Sequence, residues 1–369
     1  MIQGGKTVLL GMSGGTDSSV AAMLLKDQGY KVIGVTLLTW AAKDALPGLS
    51  DAQKLAANLE IPHHIIDCRS DFKEKVIQYF VDDYLRGYTP NPCIRCNETI
   101  KWKYLLNLAD QLGCDYIATG HYVIKEQHNG LFYIRKGKDP AKDQSYFLWN
   151  LDQQVLSRAL FPLGHYYKTE VKELAGQFGY ATLGSKRETM SICFLNNTNY
   201  RDFLKEWLPA NHPALAPGPV KNQQGIVIGS HEGYPFYTIG QKRGIEGIPG
   251  GQCVVKIHPE DNSLQVGPTQ SINSPSIQLT HFMLTKDTSL WHQKELLIRV
   301  RGYDKVPGYN GTLSLSDAGL TVTFTQPVWA LCPGQSIVFY LDDMIIGGGI
   351  VTGNNDQLAG IREQLAVIS

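Results

Sequence analysis

The sequence predicts an α/β protein, an N-terminal doubly wound parallel sheet followed by a small mostly-β central domain and a C-terminal β-barrel. Three observations predict it. Strand and helix signals alternate through the first two hundred residues, the texture turns Pro- and Gly-rich from about Asn211, and short strands follow at close spacing beyond Ser274-Pro275. At 369 residues the chain exceeds the size at which one hydrophobic core keeps growing, so domains are expected at 1–208, 209–274 and 275–369.

The elements follow in order. Residues 7–10 form a short apolar strand, and a helix over 19–28 stops at Gly29. A strand over 31–38, a helix over 51–59 and a strand over 63–67 come next. Helices over 71–86 and 104–112 and a strand over 116–119 complete a pattern that calls for parallel pairing with helices on both faces. In the last part the strands read as 296–301, 311–316, 320–324, 336–341 and 344–351, the final two joined as a hairpin at Asp342-Asp343.

Apolar residues are 43% and charged residues 18%, an ordinary globular composition. No apolar run is long enough to span a membrane and no cleavable leader opens the chain, so a cytoplasmic protein is expected. The formal net charge is zero, which argues against coating nucleic acid by bulk electrostatics and leaves RNA binding to local sites. Seven cysteines without regular spacing argue against a disulfide scaffold, and Cys68, Cys114, Cys253 and Cys332 sit in apolar stretches as small core residues.

The first strand runs into Gly11-Met12-Ser13-Gly14-Gly15-Thr16-Asp17-Ser18, and a helix begins at once. Glycines let the backbone turn sharply and approach a ligand, and successive amides at a helix start suit phosphate. The loop lacks the Gly-Lys-Ser/Thr ending of a kinase-type loop and the spacing of a dinucleotide loop. Its Ser-Gly-Gly-x-Asp-Ser pattern resembles the pyrophosphate (PP) loop of adenine nucleotide α-hydrolase-like enzymes, which split ATP between the α and β phosphates, with the Asp near the pyrophosphate and its magnesium.

Two cysteine segments carry further chemistry. Thr89-Pro90-Asn91-Pro92-Cys93-Ile94-Arg95-Cys96-Asn97 is read as a rigid proline-punctuated loop, with Arg95 favouring the Cys96 thiolate. A zinc site would need a second such pair, which is missing. Arg187-Glu188-Thr189-Met190-Ser191-Ile192-Cys193-Phe194 offers another thiol, which by itself reads as a core cysteine.

These segments, with Ile100-Lys101-Trp102, Thr119-Gly120-His121-Tyr122, Lys142-Asp143-Gln144-Ser145-Tyr146-Phe147-Leu148, Phe236 to Gly244, Pro333-Gly334-Gln335-Ser336 and Gly347 to Ile350, stand in one order along the chain. Together they resemble the tRNA-specific 2-thiouridylases. The resemblance implies a wobble uridine of tRNA as substrate, ATP with Mg2+, and sulfur supplied by an upstream sulfur-relay protein or cysteine desulfurase. It implies ATP binding by residues 11–18 with Leu37 and Gly120, a persulfide on Cys193, and Cys96 as the nucleophile that releases the sulfur or resolves the ensuing disulfide. It places the target base against Asn91, Pro92 and Cys93, and tRNA against His121, Asp143, Gln144, Ser145, Arg299, Val300 and Gln335.

Arg135, Lys136, Lys138 and Lys142, with Arg299, Arg301 and Lys305, would supply a phosphate-tracking face or, read plainly, solvated charge. The chain departs from the commoner family pattern in three places. Cys93 stands where many members have Asp, Val300 where an aromatic residue is usual, and the segment between Thr39 and Ser50 is shorter. The extra thiol leaves open a second chemistry, an iron–sulfur cluster on Cys93, Cys96 and Cys193. Another adenylating ligase with the same loop, or a non-catalytic tRNA-binding protein, are the rival readings.

Overall fold

A computed structural model describes residues 5–40, 48–180, 192–195, 198–246, 248–279, 281–302, 308–353 and 366–368. Lys305, residues 187–191 ahead of Cys193 and most of the segment between Thr39 and Ser50 lie outside them.

The first sheet follows from alternation along its central strand. In β1 (Thr7–Gly11) the odd–even rule sends Val8 and Leu10 to one face and Leu9 to the other. After it come α1 (Thr16–Asp27), β2 (Lys31–Leu38), α2 (Leu49–Asn58) and β3 (His63–Asp67). A helical stretch, α3 (Arg69–Phe72) and α4 (Tyr79–Leu85), is joined through a π-helical segment at Lys73–Gln78. Another, α5 (Pro92–Cys96) and α6 (Trp102–Gln111), is joined through a π-helical segment at Asn97–Lys101. Then follow β4 (Tyr116–Ala118), the hairpin β5 (Val123–His128) and β6 (Leu131–Lys136), α7 (Gln153–Arg158), β7 (Ala159–Leu160), α8 (Lys168–Gln177) and α9 (Tyr200–Trp207).

The sheet order is β3-β2-β1-β4-β7 with every pairing parallel. Side chains of α1, α2 and α8 pack on one face, those of α6 and α7 on the other, as a doubly wound sheet requires. Strands β2 and β3 have the predicted bounds. Helix α1 begins at Thr16 rather than residue 19, because the loop turns directly into the helix and puts Asp17 in its first turn.

A four-stranded sheet spanning residues 218–268 forms the central module, with strands Gly218–Lys221, Val227–His231, Gln252–His258 and Ser263–Pro268. The last sheet runs from Asn273–Leu279 to Ala366–Ile368. Leu279, Leu284, Ile298, Leu313, Phe324, Phe339 and Ile346, from seven of its strands, share one core, the packing of a barrel. Hairpin β5–β6 joins this sheet from the N-terminal half, Arg135 pairing with Met344 and forming ion pairs with Asp343 at 2.8 Å and Glu126.

Candidate active site

The PP loop sits at the C-terminal end of β1, the crevice where open parallel sheets bind ligands. Ser13 and Ser18 brace it, the Ser18 hydroxyl accepting from the Ser13 amide at 3.2 Å and donating to the Gly15 carbonyl at 3.2 Å. Gly14 holds a left-handed φ of 72°. Gly120 comes so close that an added Cβ would stand 3.0 Å from the Asp17 carbonyl carbon and the Ser18 nitrogen, and a side chain there would push against the loop backbone. Leu37, at the end of β2, packs between two cores nearby. A braced loop, bare glycines and a half-exposed carboxylate on Asp17 fit ATP with a divalent cation.

Asp17 is also held by groups that sequence reasoning missed. The Tyr122 hydroxyl donates to its Oδ1 at 2.6 Å, and the Lys168 ammonium lies 2.5 Å from the same oxygen. Lys168 is only 8% exposed.

The cysteines lie on a helix, and the expectation of a loop is corrected. Asn91 is the N-cap, its side chain accepting from the Ile94 amide, and Pro92 takes the first helical position, where its fixed φ and missing N–H suit a helix start. Asn-Pro thus starts a helix here, with Cys93 and Cys96 one turn apart. Cys96 is buried and Cys93 half-buried.

Cys193 opens a short 3-10 turn, Cys193–Leu195, and as a residue it reaches the surface although enough protein surrounds its thiol to desolvate it. Its neighbour Phe194 is 2% exposed and inserts edge-on between Phe72 and Phe80, with ring centroids at 6.0 and 5.1 Å. Phe194 and Cys96 share one apolar core, which ties the Cys193 turn to the Cys96 helix across about a hundred residues of sequence.

The three thiols share their electrostatic influences. Burial raises the pKa of Cys93, Cys96 and Cys193, that of Cys96 to about 12, and the charge on Cys193 adds to the rise at both of the others. Opposing burial at all three is one cation, Lys101, which also acts on His121. Arg95, the cation expected beside Cys96, instead pairs with Glu98 at 3.3 Å and lies over the Tyr79 ring. The helix geometry explains the exchange. In an unbroken α-helix Lys101 would stand about 140° around the axis from Cys96, and the extra residue of a π turn brings it to about 40°.

The residues expected at tRNA divide into two groups. Asp143 accepts from the Gly137 and Ser145 amides and the Ser145 hydroxyl, and pairs with Arg299 at 3.2 Å. Ser145 is fully buried and Val300 belongs to the barrel core, so these two side chains face inward. Arg299 also donates to the Gly302 carbonyl. Gln144 accepts from the Tyr122 amide, and Gln335 donates to the Thr89 carbonyl at 2.6 Å, bracing the approach to the cysteine helix. His121 stacks on Trp102 and bonds to Thr119 at 2.7 Å; burial lowers its pKa to about 3, so it stays neutral. Of the basic cluster, Arg135 and Lys138 are ion-paired, Lys136 is over the Tyr340 ring, and Arg301 donates to the Ala330 carbonyl.

Three family models match in succession, described as tRNA methyl transferase HUP domain over residues 6–197, tRNA methyl transferase PRC-barrel domain over 201–268, and aminomethyltransferase beta-barrel domain over 274–351. A protein of Cytophaga hutchinsonii named tRNA-specific 2-thiouridylase MnmA is 41% identical over 364 residues, covering 95% of this chain and 98% of that protein. The chain belongs to the tRNA-specific 2-thiouridylase family. A relative of the same name in Salinibacter ruber is 39% identical and covers 93% of both chains. A solved U34-tRNA thiolase of Methanococcus maripaludis with its [4Fe-4S] cluster aligns over 58% of this chain and 68% of that one, at TM-score 0.35 and 20% identity, too remote to carry an argument about this 2-thiouridylase family member. Among the described residues, no three His, Cys, Asp or Glu side chains are placed to hold a metal ion, so Cys93, Cys96 and Cys193 as arranged do not fit a cluster.

Proposed function

We propose that this protein is a tRNA 2-thiouridylase that uses ATP to adenylate the C2 oxygen of the wobble uridine and replaces that oxygen with sulfur. The reading is carried by one observation: the Cys193 turn and the Cys96 helix are tied by one apolar core in the domain that holds the PP loop, with Lys101 acting on both thiols. The methyl transferase wording of the family models has no counterpart in this chemistry, whereas two thiols and an ATP-splitting loop match the names of the curated relatives.

A carbonyl oxygen is a poor leaving group, and sulfur transfer needs a soft donor, so two devices are required. The uracil O2 attacks the α-phosphorus of ATP, the bond to pyrophosphate breaks with its electron pair, and the N3 proton is lost. The terminal sulfur of a Cys193 persulfide then attacks C2, and AMP departs. The Cys96 thiolate attacks the Cys193 sulfur and breaks the S–S bond. Sulfur stays on C2, and the Cys96–Cys193 disulfide that remains is reduced by an external thiol.

Magnesium at Asp17 would supply charge neutralisation for the pyrophosphate. Asn91, Pro92 and Cys93 face the flipped base, and His121, Gln144 and Gln335 lie on the RNA side, while Asp143, Ser145, Arg299 and Val300 hold the barrel in place behind them. The persulfide comes from a sulfur-relay protein or cysteine desulfurase in the cytoplasm.

The test incubates purified protein with unmodified tRNA, ATP, magnesium and a persulfide source, in air and without oxygen, and reads 2-thiouridine by mass spectrometry of digested RNA. Wild type is expected to thiolate, and Cys96→Ser and Cys193→Ser to lose the product while still releasing AMP when tRNA is present. AMP without thiolated base under every condition would leave an adenylating ligase of another substrate. Product that requires iron and the exclusion of oxygen would replace the persulfide by a cluster.

A further inference from the structure

Burying a lysine against a carboxylate rarely adds stability, because desolvation of both charges offsets their attraction. Lys168 is nonetheless 8% exposed, with its ammonium 2.5 Å from Asp17 Oδ1. Its backbone amide is itself tied down, donating to Asp139 Oδ2 at 2.9 Å, and its ammonium lies 5.7 Å from the centre of the Tyr122 ring. The Asp17 side chain is 37% exposed where that of Lys168 is 10%, so the carboxylate stands on the open side of the pair. Asp17 lies in the first turn of the helix that leaves the PP loop. A preorganised cation therefore stands behind the one acid of the loop, where negative charge would accumulate as pyrophosphate leaves.

Resting on the ATP use proposed above, we infer that Lys168 is a pyrophosphate-binding residue of this site. Its ammonium passes from Asp17 to the β-phosphate oxygens when ATP enters, leaving Asp17 to the metal. As O2 attacks and the α–β bond breaks, the electron pair goes to the bridging oxygen, and Lys168 neutralises the charge that develops there. Tyr122 keeps its hydrogen bond to Asp17, so the carboxylate is not left unpartnered when the lysine moves.

The experiment titrates full-length wild type, Lys168→Met and Lys168→Arg with ATP, inorganic pyrophosphate and AMP by calorimetry, and follows tRNA-dependent AMP release. Lys168→Met is expected to lose tenfold or more in affinity for ATP and pyrophosphate while AMP affinity changes less than twofold, and Lys168→Arg to recover most of the loss. In turnover the KM for ATP and kcat should both worsen, since the charge grows in the transition state. Equal losses for ATP and AMP would make the pair a structural latch, and no loss at all would also overturn the inference. Should Lys168→Met fail to fold, Lys168→Gln gives the same comparison. Wild type that binds ATP and pyrophosphate yet makes no thiouridine would sink the substrate assignment while leaving the lysine's role intact.

Discussion

At the scale of single residues, one cation acts on three thiols against the burial that dominates at each. Lys101 opposes the burial that raises Cys93, Cys96 and Cys193, so removing it disfavours every thiolate. Lys101→Met is expected to slow alkylation of Cys193 by iodoacetamide at pH 8, because a charge that favours the thiolate is lost, with Lys101→Arg in between. A second consequence is alkaline sensitivity. Burial holds the thiols of Cys68 and Cys96 at about 12 against an ordinary 9.0. A raised thiol pKa favours the fold while both states are protonated, and that contribution falls away as pH rises from 9 towards 12, where the unfolded chain ionises and the folded one resists. Stability measured in urea should therefore drop above about pH 9, and Cys68→Ala should flatten the fall.

At the scale of elements, the cysteine helix shows what was and was not legible. The parallel strands were readable because their apolar runs and glycine stops are local signals. The PP loop was readable because its residue types leave few other uses. Residues 91–96 were misread as a loop, since Asn-Pro serves turns and helix starts alike, and only the Asn91 contact to the Ile94 amide separates the two. Lys101 was missed because a π turn cannot be seen in an α-periodic pattern, and Lys168 because its partner is 151 residues away. The Asn91→Ala variant is expected to cost about 1 kcal/mol by thermal unfolding, the usual worth of a cap, and to lower thiolation further than that loss explains by letting Cys96 drift. Phe194→Ala should cost about 3–5 kcal/mol and detach Cys193 from its core, whereas Phe194→Leu should keep most of the activity.

At the scale of the molecule, the barrel reaches back to the thiols. Thr89, which leads into the cysteine helix, donates its amide to the Pro333 carbonyl, receives Gln335 on its own carbonyl and places its hydroxyl 3.2 Å from that of Thr238 in the central module. Three parts of the chain thus converge on one residue ahead of Cys93, and sequence periodicity carries no trace of such a junction. Gln335→Ala is expected to change the alkylation rate of Cys93 in the absence of tRNA, a result that loss of an RNA contact alone would not produce. The central claim is that Cys96 and Cys193 act on one sulfur atom. It is tested most directly by a single turnover of persulfide-loaded protein with tRNA and ATP in the absence of reductant, followed by peptide mapping under non-reducing conditions. The account predicts a Cys96–Cys193 disulfide in amount equal to the 2-thiouridine formed; thiolated RNA with both thiols free would contradict it.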